Sequence, residues 1–124
     1  MLVGYARVST ADQDLALQLD ALETAGCERV FEERASGARS DRPVLAEAMD
    51  YVRDGDVLVV WRLDRFGRSL KDLIANVEAL RERGVGFRSL AEAVDTTTAG
   101  GQLVFHIFGA LAEFERELIR ERTM

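Results

Sequence analysis

Apolar and polar positions follow two rhythms along this chain, and each change of rhythm marks an element. Leu2-Val3-Gly4-Tyr5-Ala6-Arg7-Val8 is apolar on both faces, the pattern of a central strand. Thr10 as N-cap with Gln13 three residues on matches a capping box. Leu15, Leu19, Leu22 and Ala25 then recur at helical spacing until Gly26 closes the helix. Glu28 to Glu33 reads as a weaker second strand, leading into the small and polar loop Arg34 to Arg42. Pro43 opens a helix with Leu45, Ala48, Met49 and Val52 on its buried face, and Asp54-Gly55 turns the chain. Asp56 to Trp61 is a third strand, apolar from Val57 onward as a central parallel strand should be. After the connection Arg62 to Arg68, Ser69 caps a helix that turns Leu70, Leu73, Ile74, Val77 and Leu80 to the sheet and ends at Gly84. Val85 to Leu90 is a fourth strand. This alternation predicts an α/β domain: a mainly parallel sheet of about four to five strands, flanked by helices through right-handed crossovers.

The last segment breaks the pattern. Beyond the polar connection Asp95-Thr96-Thr97-Thr98, Gly101 to Arg122 reads as one long helix. Its stripe of Val104, Ile107, Phe108, Leu111, Phe114, Leu118 and Ile119 is close to heptad spacing. The first part can pack on the sheet, whereas Leu111 to Ile119 extends past a sheet of this size and needs a partner, which predicts a homodimer through this helix. The expected organisation is a core over 1–100 and a dimerisation helix over 101–124. No glycine or proline stops that helix before Met124, so it is expected to run on.

Composition narrows the class. At 124 residues, with 48% hydrophobic and 31% charged residues and a single proline, the chain fits one folded domain. Leu2 to Val8 is too short to span a bilayer and no signal-peptide pattern opens the chain, so a cytoplasmic protein without membrane attachment is expected. The single Cys27 beside Gly26 reads as a small packed residue rather than a nucleophile. A net charge of −6 argues against wrapping nucleic acid by bulk electrostatics, so any polyanion contact must be local. Lys71 is the only lysine; the other basic residues are arginines, whose planar forks suit phosphate.

Their positions suggest a chemistry. In open parallel sheets ligands bind beyond the carboxyl ends of the strands. There the first strand delivers Arg7 and Ser9, which share a face. The second delivers Glu33, Ser36, Arg39 and Arg42, and the third Asp64, Arg65 and Arg68. Other chemistries fit less well. The only histidine, His106, lies on the long helix where a packed or interfacial place is expected, which removes a Ser-His-Asp hydrolase. No GxxxxGK[ST] or GxGxxG follows a strand, and no His, Cys and carboxylate cluster has metal-ligand spacing. A serine attacking a phosphodiester fits: guanidinium groups stay protonated, and one well-placed donor lowers such a barrier by about 3 to 4 kcal/mol.

Tyr5-Ala6-Arg7-Val8-Ser9-Thr10, the Ser36-Gly37 loop leading to Asp41-Arg42-Pro43, Leu63-Asp64-Arg65-Phe66-Gly67-Arg68-Ser69, and Gly109 to Ile119 followed by Glu121-Arg122-Thr123 together resemble the serine recombinases, nearest the DNA invertases and resolvases. The likeness covers essentially the whole chain in order. It implies attack by Ser9 on a DNA phosphodiester, a 5′-phosphoserine linkage with a free 3′-hydroxyl, then strand exchange and religation without metal, ATP or other cofactor. It further implies that Arg7, Arg42, Arg65 and Arg68 surround the scissile phosphate. Asp64 is a candidate for proton transfer or for orienting an arginine, and Gln13, Glu33, Ser36, Arg116, Glu121 and Arg122 are supporting residues. The implied partners are a double-stranded DNA crossover site and a homodimer that assembles into a synaptic tetramer. Leucine often stands at Phe66 and aspartate at Glu33 in the invertase pattern; both changes keep chemical character. A helix-turn-helix domain, which usually follows the long helix and supplies site-specific DNA affinity, is expected beyond Met124. The competing reading from another class is a recombinase-like dimeric module that no longer cuts, and a third is a serine phosphodiesterase that releases its product to water.

Overall fold

The computed structural model describes residues 1–9, 15–35, 43–63, 66 and 70–123; for residues 8, 9, 35, 112, 113 and 115–123 it describes the backbone alone. Strand β1 (Leu2–Ser9) is followed by α1 (Leu15–Thr24), β2 (Arg29–Ala35), α2 (Pro43–Tyr51), β3 (Val57–Val60), α3 (Leu70–Glu82), β4 (Gly86–Ser89), β5 (Val94–Asp95) and α4 (Ala99–Thr123). The sheet order is β2-β1-β3-β4-β5. The first three pairings are parallel and β4 pairs with β5 antiparallel, so the expected mainly parallel α/β sheet is the fold observed.

Each face of the sheet carries its own core. On one face Val3, Tyr5, Leu58, Val60 and Phe87 meet Leu45, Ala48 and Val52 behind α2, Leu73, Val77 and Leu80 of α3, and Phe105 of α4. On the other, Ala6 and Val59 meet Leu22, with Leu15 and Leu19 of α1 packed around them. Leu58, Val59 and Val60 are all fully buried, because a central parallel strand is covered on both sides. Gly26 and Gly84, at φ 95° and 76°, close α1 and α3 in the left-handed conformation that a side chain disfavours.

Two elements differ from expectation. The connection read as purely polar contains β5, where Arg88 pairs with Asp95 and Ser89 with Val94. Thr96 continues it: its amide donates to the Phe87 carbonyl (2.9 Å), and its buried hydroxyl accepts from the Phe87 amide (2.8 Å). A two-residue strand is too short to leave a hydrophobic period, so long-range pairing alone reveals it. Among the described side chains of α4, Phe105, which the stripe omitted, enters the core at 3% exposed. Val104 and Ile107, in the part of the stripe expected to pack on the sheet, are exposed, as is Leu103; Leu111 and Phe114 are exposed too, as expected of the part that extends past the sheet. His106, expected in a packed or interfacial place, is exposed in the single chain, with Nε2 3.4 Å from Arg81 Nη1. Among the described residues no helix is long and apolar enough to cross a membrane.

Candidate active site

The strand order reverses at β1, which lies between β2 and β3, and a crevice is expected beyond the carboxyl ends of β1 and β3. β1 outruns β3 there. Its pairing with β3 stops at Tyr5 opposite Val60, while its pairing with β2 continues through Arg7 opposite Glu33 to Ser9 opposite Ala35. Ser9 is the last residue of β1. Arg7, half-buried, follows Val3 and Tyr5 on the face that α2 and α3 cover.

Glu33 accepts three hydrogen bonds. Only 3% exposed, it accepts from the Tyr5 hydroxyl at 2.6 Å and from the Leu45 amide at 3.2 Å through Oε1, and from the Val44 amide at 3.1 Å through Oε2. Those amides belong to the first turn of α2, whose free N–H groups and positive dipole end favour an acceptor carboxylate. The side chain thus ties β1, β2 and the start of α2 together.

A second buried polar side chain stands beside Arg7, and the strand-by-strand reading missed it. Gln18 of α1 is fully buried; its Oε1 accepts from the Arg7 amide at 3.1 Å and its Nε2 donates to the Arg7 carbonyl at 3.0 Å. The signal was present in the sequence: Gln18 falls on the helical period of Leu15, Leu19 and Leu22, and a polar residue in an apolar stripe is informative.

Among the described residues, Leu63 and Phe66 anchor the connection after β3. The Glu92 carboxylate accepts from the Leu63 amide (3.3 and 3.4 Å to its two oxygens) and from the Ser89 hydroxyl. Phe66 is fully buried, edge-on to Tyr5 with ring centroids 6.4 Å apart and 4.8 Å from the Phe87 ring. Asp64 and Arg65, which stand between these anchors in sequence, lie outside the described residues. So do Arg68, Gln13, Ser36 and Arg42, and the loop residue Arg39. Arg116, Glu121 and Arg122 lie on α4, where the backbone alone is described. Arg7 and Glu33 are therefore the candidates whose side chains can be placed; their strand positions are paired.

Among the described residues no three His, Cys, Asp or Glu side chains gather as a metal site would need. Burial raises the Cys27 thiol pKa, and the Arg88 charge only partly opposes it, in keeping with a packed rather than nucleophilic cysteine. An open hollow of about 480 Å³ between α1 and β4 is lined by Asp20, Ala21, Thr24, Ala25, Arg88 and Leu90, none of them a candidate.

Residues 2–124 match the family model described as "Resolvase, N terminal domain". Among similar proteins, the serine recombinase gin of Escherichia phage Mu is 58% identical over 124 residues, covering all of this chain and 64% of the relative. The DNA-invertase hin of Salmonella typhimurium is 54% identical over 122 residues, covering 98% of this chain and 64% of the relative. The chain thus spans a little under two thirds of these relatives' length. Among solved structures, the N-terminal catalytic domain of TP901-1 integrase superposes with a TM-score of 0.78 at 32% identity, over 94% of this chain and 97% of that one.

Proposed function

The chain belongs to the serine recombinase family through its resolvase N-terminal domain, and on that premise we propose that it is the catalytic and dimerisation part of a site-specific DNA recombinase. Ser9 Oγ attacks a backbone phosphorus of a double-stranded crossover site. A Ser9 Oγ–P bond forms as the bond from phosphorus to the 3′-oxygen breaks. The serine proton leaves to a base and the 3′-oxygen takes up a proton. The ester retains the energy of the broken bond, so religation to an exchanged strand is the same step reversed and requires no nucleotide cofactor.

In this reading Arg7, Arg42, Arg65 and Arg68 neutralise the charge that grows on the phosphoryl oxygens, and Asp64 moves a proton or orients an arginine. Gln13, Glu33, Ser36, Arg116, Glu121 and Arg122 support them. Residues 1–100 form the catalytic core. Residues 101–124 pair two copies through Leu103, Ile107, Leu111 and Phe114, which the single chain leaves exposed; dimers then meet in a synaptic tetramer.

The observation that supports this reading best is where β1 ends. Its last three residues carry Arg7 and Ser9 past the end of β3, at the reversal of strand order where open parallel sheets are expected to bind ligands. The test is incubation of the full-length protein with crossover-site DNA followed by denaturation. A covalent protein–DNA adduct is expected for wild type and none for Ser9→Ala. An adduct that survives Ser9→Ala refutes the assignment of the nucleophile, and an intact wild type that forms none favours the non-cutting dimeric module.

A further inference from the structure

Gln18 occupies a core position, on the buried face of α1 beside Leu15, Leu19 and Leu22, where an apolar side chain would be the default. A fully buried amide is costly unless both of its ends are bonded. Here each end bonds the Arg7 backbone, Oε1 accepting from its N–H and Nε2 donating to its C=O.

The ladder explains why the Arg7 backbone needs them. The Val57 amide donates to the Met1 carbonyl and the Glu28 amide to the Leu2 carbonyl, so odd-numbered residues of β1 turn their backbone groups toward β3 and even-numbered ones toward β2. Arg7 is therefore aimed at the side from which β3 has departed. The carbonyl next in line on that side, that of Trp61, is turned away to accept from the Ala91 amide at 2.9 Å. The Gln18 amide presents one acceptor and one donor in its place, as a third strand would. These bonds close the segment from residue 7 to residue 18 into a loop, and Ser9 lies inside it.

From this geometry we infer that Gln18 is a positioning residue for the active site. It substitutes for the missing stretch of β3, keeps β1 extended through Arg7, and so fixes where Arg7 and Ser9 meet a DNA phosphate. The inference rests on the recombinase reading above and assigns Gln18 a role that acts through the Arg7 backbone.

The experiment compares wild type, Gln18→Met, Gln18→Asn and Ser9→Ala in the full-length protein. Methionine keeps the length and unbranched shape of the side chain without its hydrogen bonds; asparagine keeps the amide but is one methylene too short to bridge both groups. The readouts are hydrogen exchange of the Arg7 amide, DNA affinity, and the single-turnover rate of adduct formation. In wild type the Arg7 amide is expected to be protected although, among the described residues, no strand flanks it on that side. In both Gln18 variants its exchange should quicken while the Val3 and Tyr5 amides stay protected. The adduct rate should fall at least about tenfold, as a small misplacement of reacting groups does, with DNA affinity within about twofold of wild type. An adduct rate equal to wild type with the Arg7 amide deprotected overturns the inference, as does an Arg7 amide that exchanges freely in wild type. The wild-type measurement decides even if Gln18→Met fails to fold. Failure of wild type itself to form an adduct would count against the recombinase reading instead.

Discussion

Replacing Glu33 by glutamine changes one atom and should disturb three hydrogen bonds. All the contacts the carboxylate makes are from donors: the Tyr5 hydroxyl and the Leu45 amide at Oε1, the Val44 amide at Oε2. An amide side chain has only one acceptor oxygen. Placed with its oxygen toward Tyr5 and Leu45, the introduced glutamine sets an NH2 group against the Val44 N–H; flipped, it loses the Leu45 bond and forces the tyrosine hydroxyl to turn around. One bond to a charged group is worth about 1.5 to 3 kcal/mol, and a negative charge at a helix N-terminus adds about 0.3 to 1 kcal/mol. The expected loss of stability is therefore roughly 2 to 4 kcal/mol. Urea denaturation followed through Trp61, the only tryptophan, measures it. Tyr5→Phe should cost less, since of the three bonds to the carboxylate it removes one and leaves the α2 amides satisfied. In the double variant the two losses should fall short of their sum, because they share the Tyr5–Glu33 bond. If Glu33→Gln unfolds within about 0.5 kcal/mol of wild type, or the two changes prove additive, the carboxylate does not tie α2 to the sheet as described.

Three other outcomes follow from the same structure. Phe114→Asp and Leu111→Asp place charge on the exposed face of α4 and should convert a dimer to monomers in sedimentation at micromolar concentration without lowering the melting temperature of the core; a wild type already monomeric would remove the proposed dimer helix. Gly101→Ala sets a Cβ against the Asp95 carbonyl where the start of α4 crosses β5; backbone cannot yield as a side-chain tip can, so a loss of about 1 to 3 kcal/mol is expected in the same urea titration. The Asp56 carboxyl is held below the usual aspartate pKa chiefly by the Arg53 amide at 2.8 Å, with help from the Met1 amino group at 3.3 Å. A lowered folded-state pKa gives stability that is present above the unfolded value and lost as pH falls through the folded one. Asp56→Asn should thus be less stable than wild type at neutral pH, with the gap closing below pH about 4 in paired melts; a gap independent of pH would contradict the assignment.

Much of the architecture was legible along the chain because each major element carries its own period. The doubly apolar runs of β1 and β3 marked central strands, the stripes of α1, α2 and α3 marked their buried faces, and glycines at 26 and 84 marked their ends. The family was legible because its motifs are short stretches of fixed chemistry. Other features arise only when distant segments meet. β5 exists through pairing with β4, and no local period announces it. Which apolar residue of α4 enters the core depends on how the helix crosses the sheet: Phe105 turns inward, while Val104 and Ile107 are left outside. The sequence marked Glu33 as a site candidate, but its three donors come from β1 and α2, so its part in anchoring α2 could not be seen from its neighbours. Gln18 was visible as a polar residue out of place in an apolar stripe; that its partners are the backbone groups of Arg7 depended on β1 outrunning β3. Local composition determines what each segment can become, whereas hydrogen-bond partners are chosen by packing, because a donor and an acceptor remote in sequence are joined only by the fold.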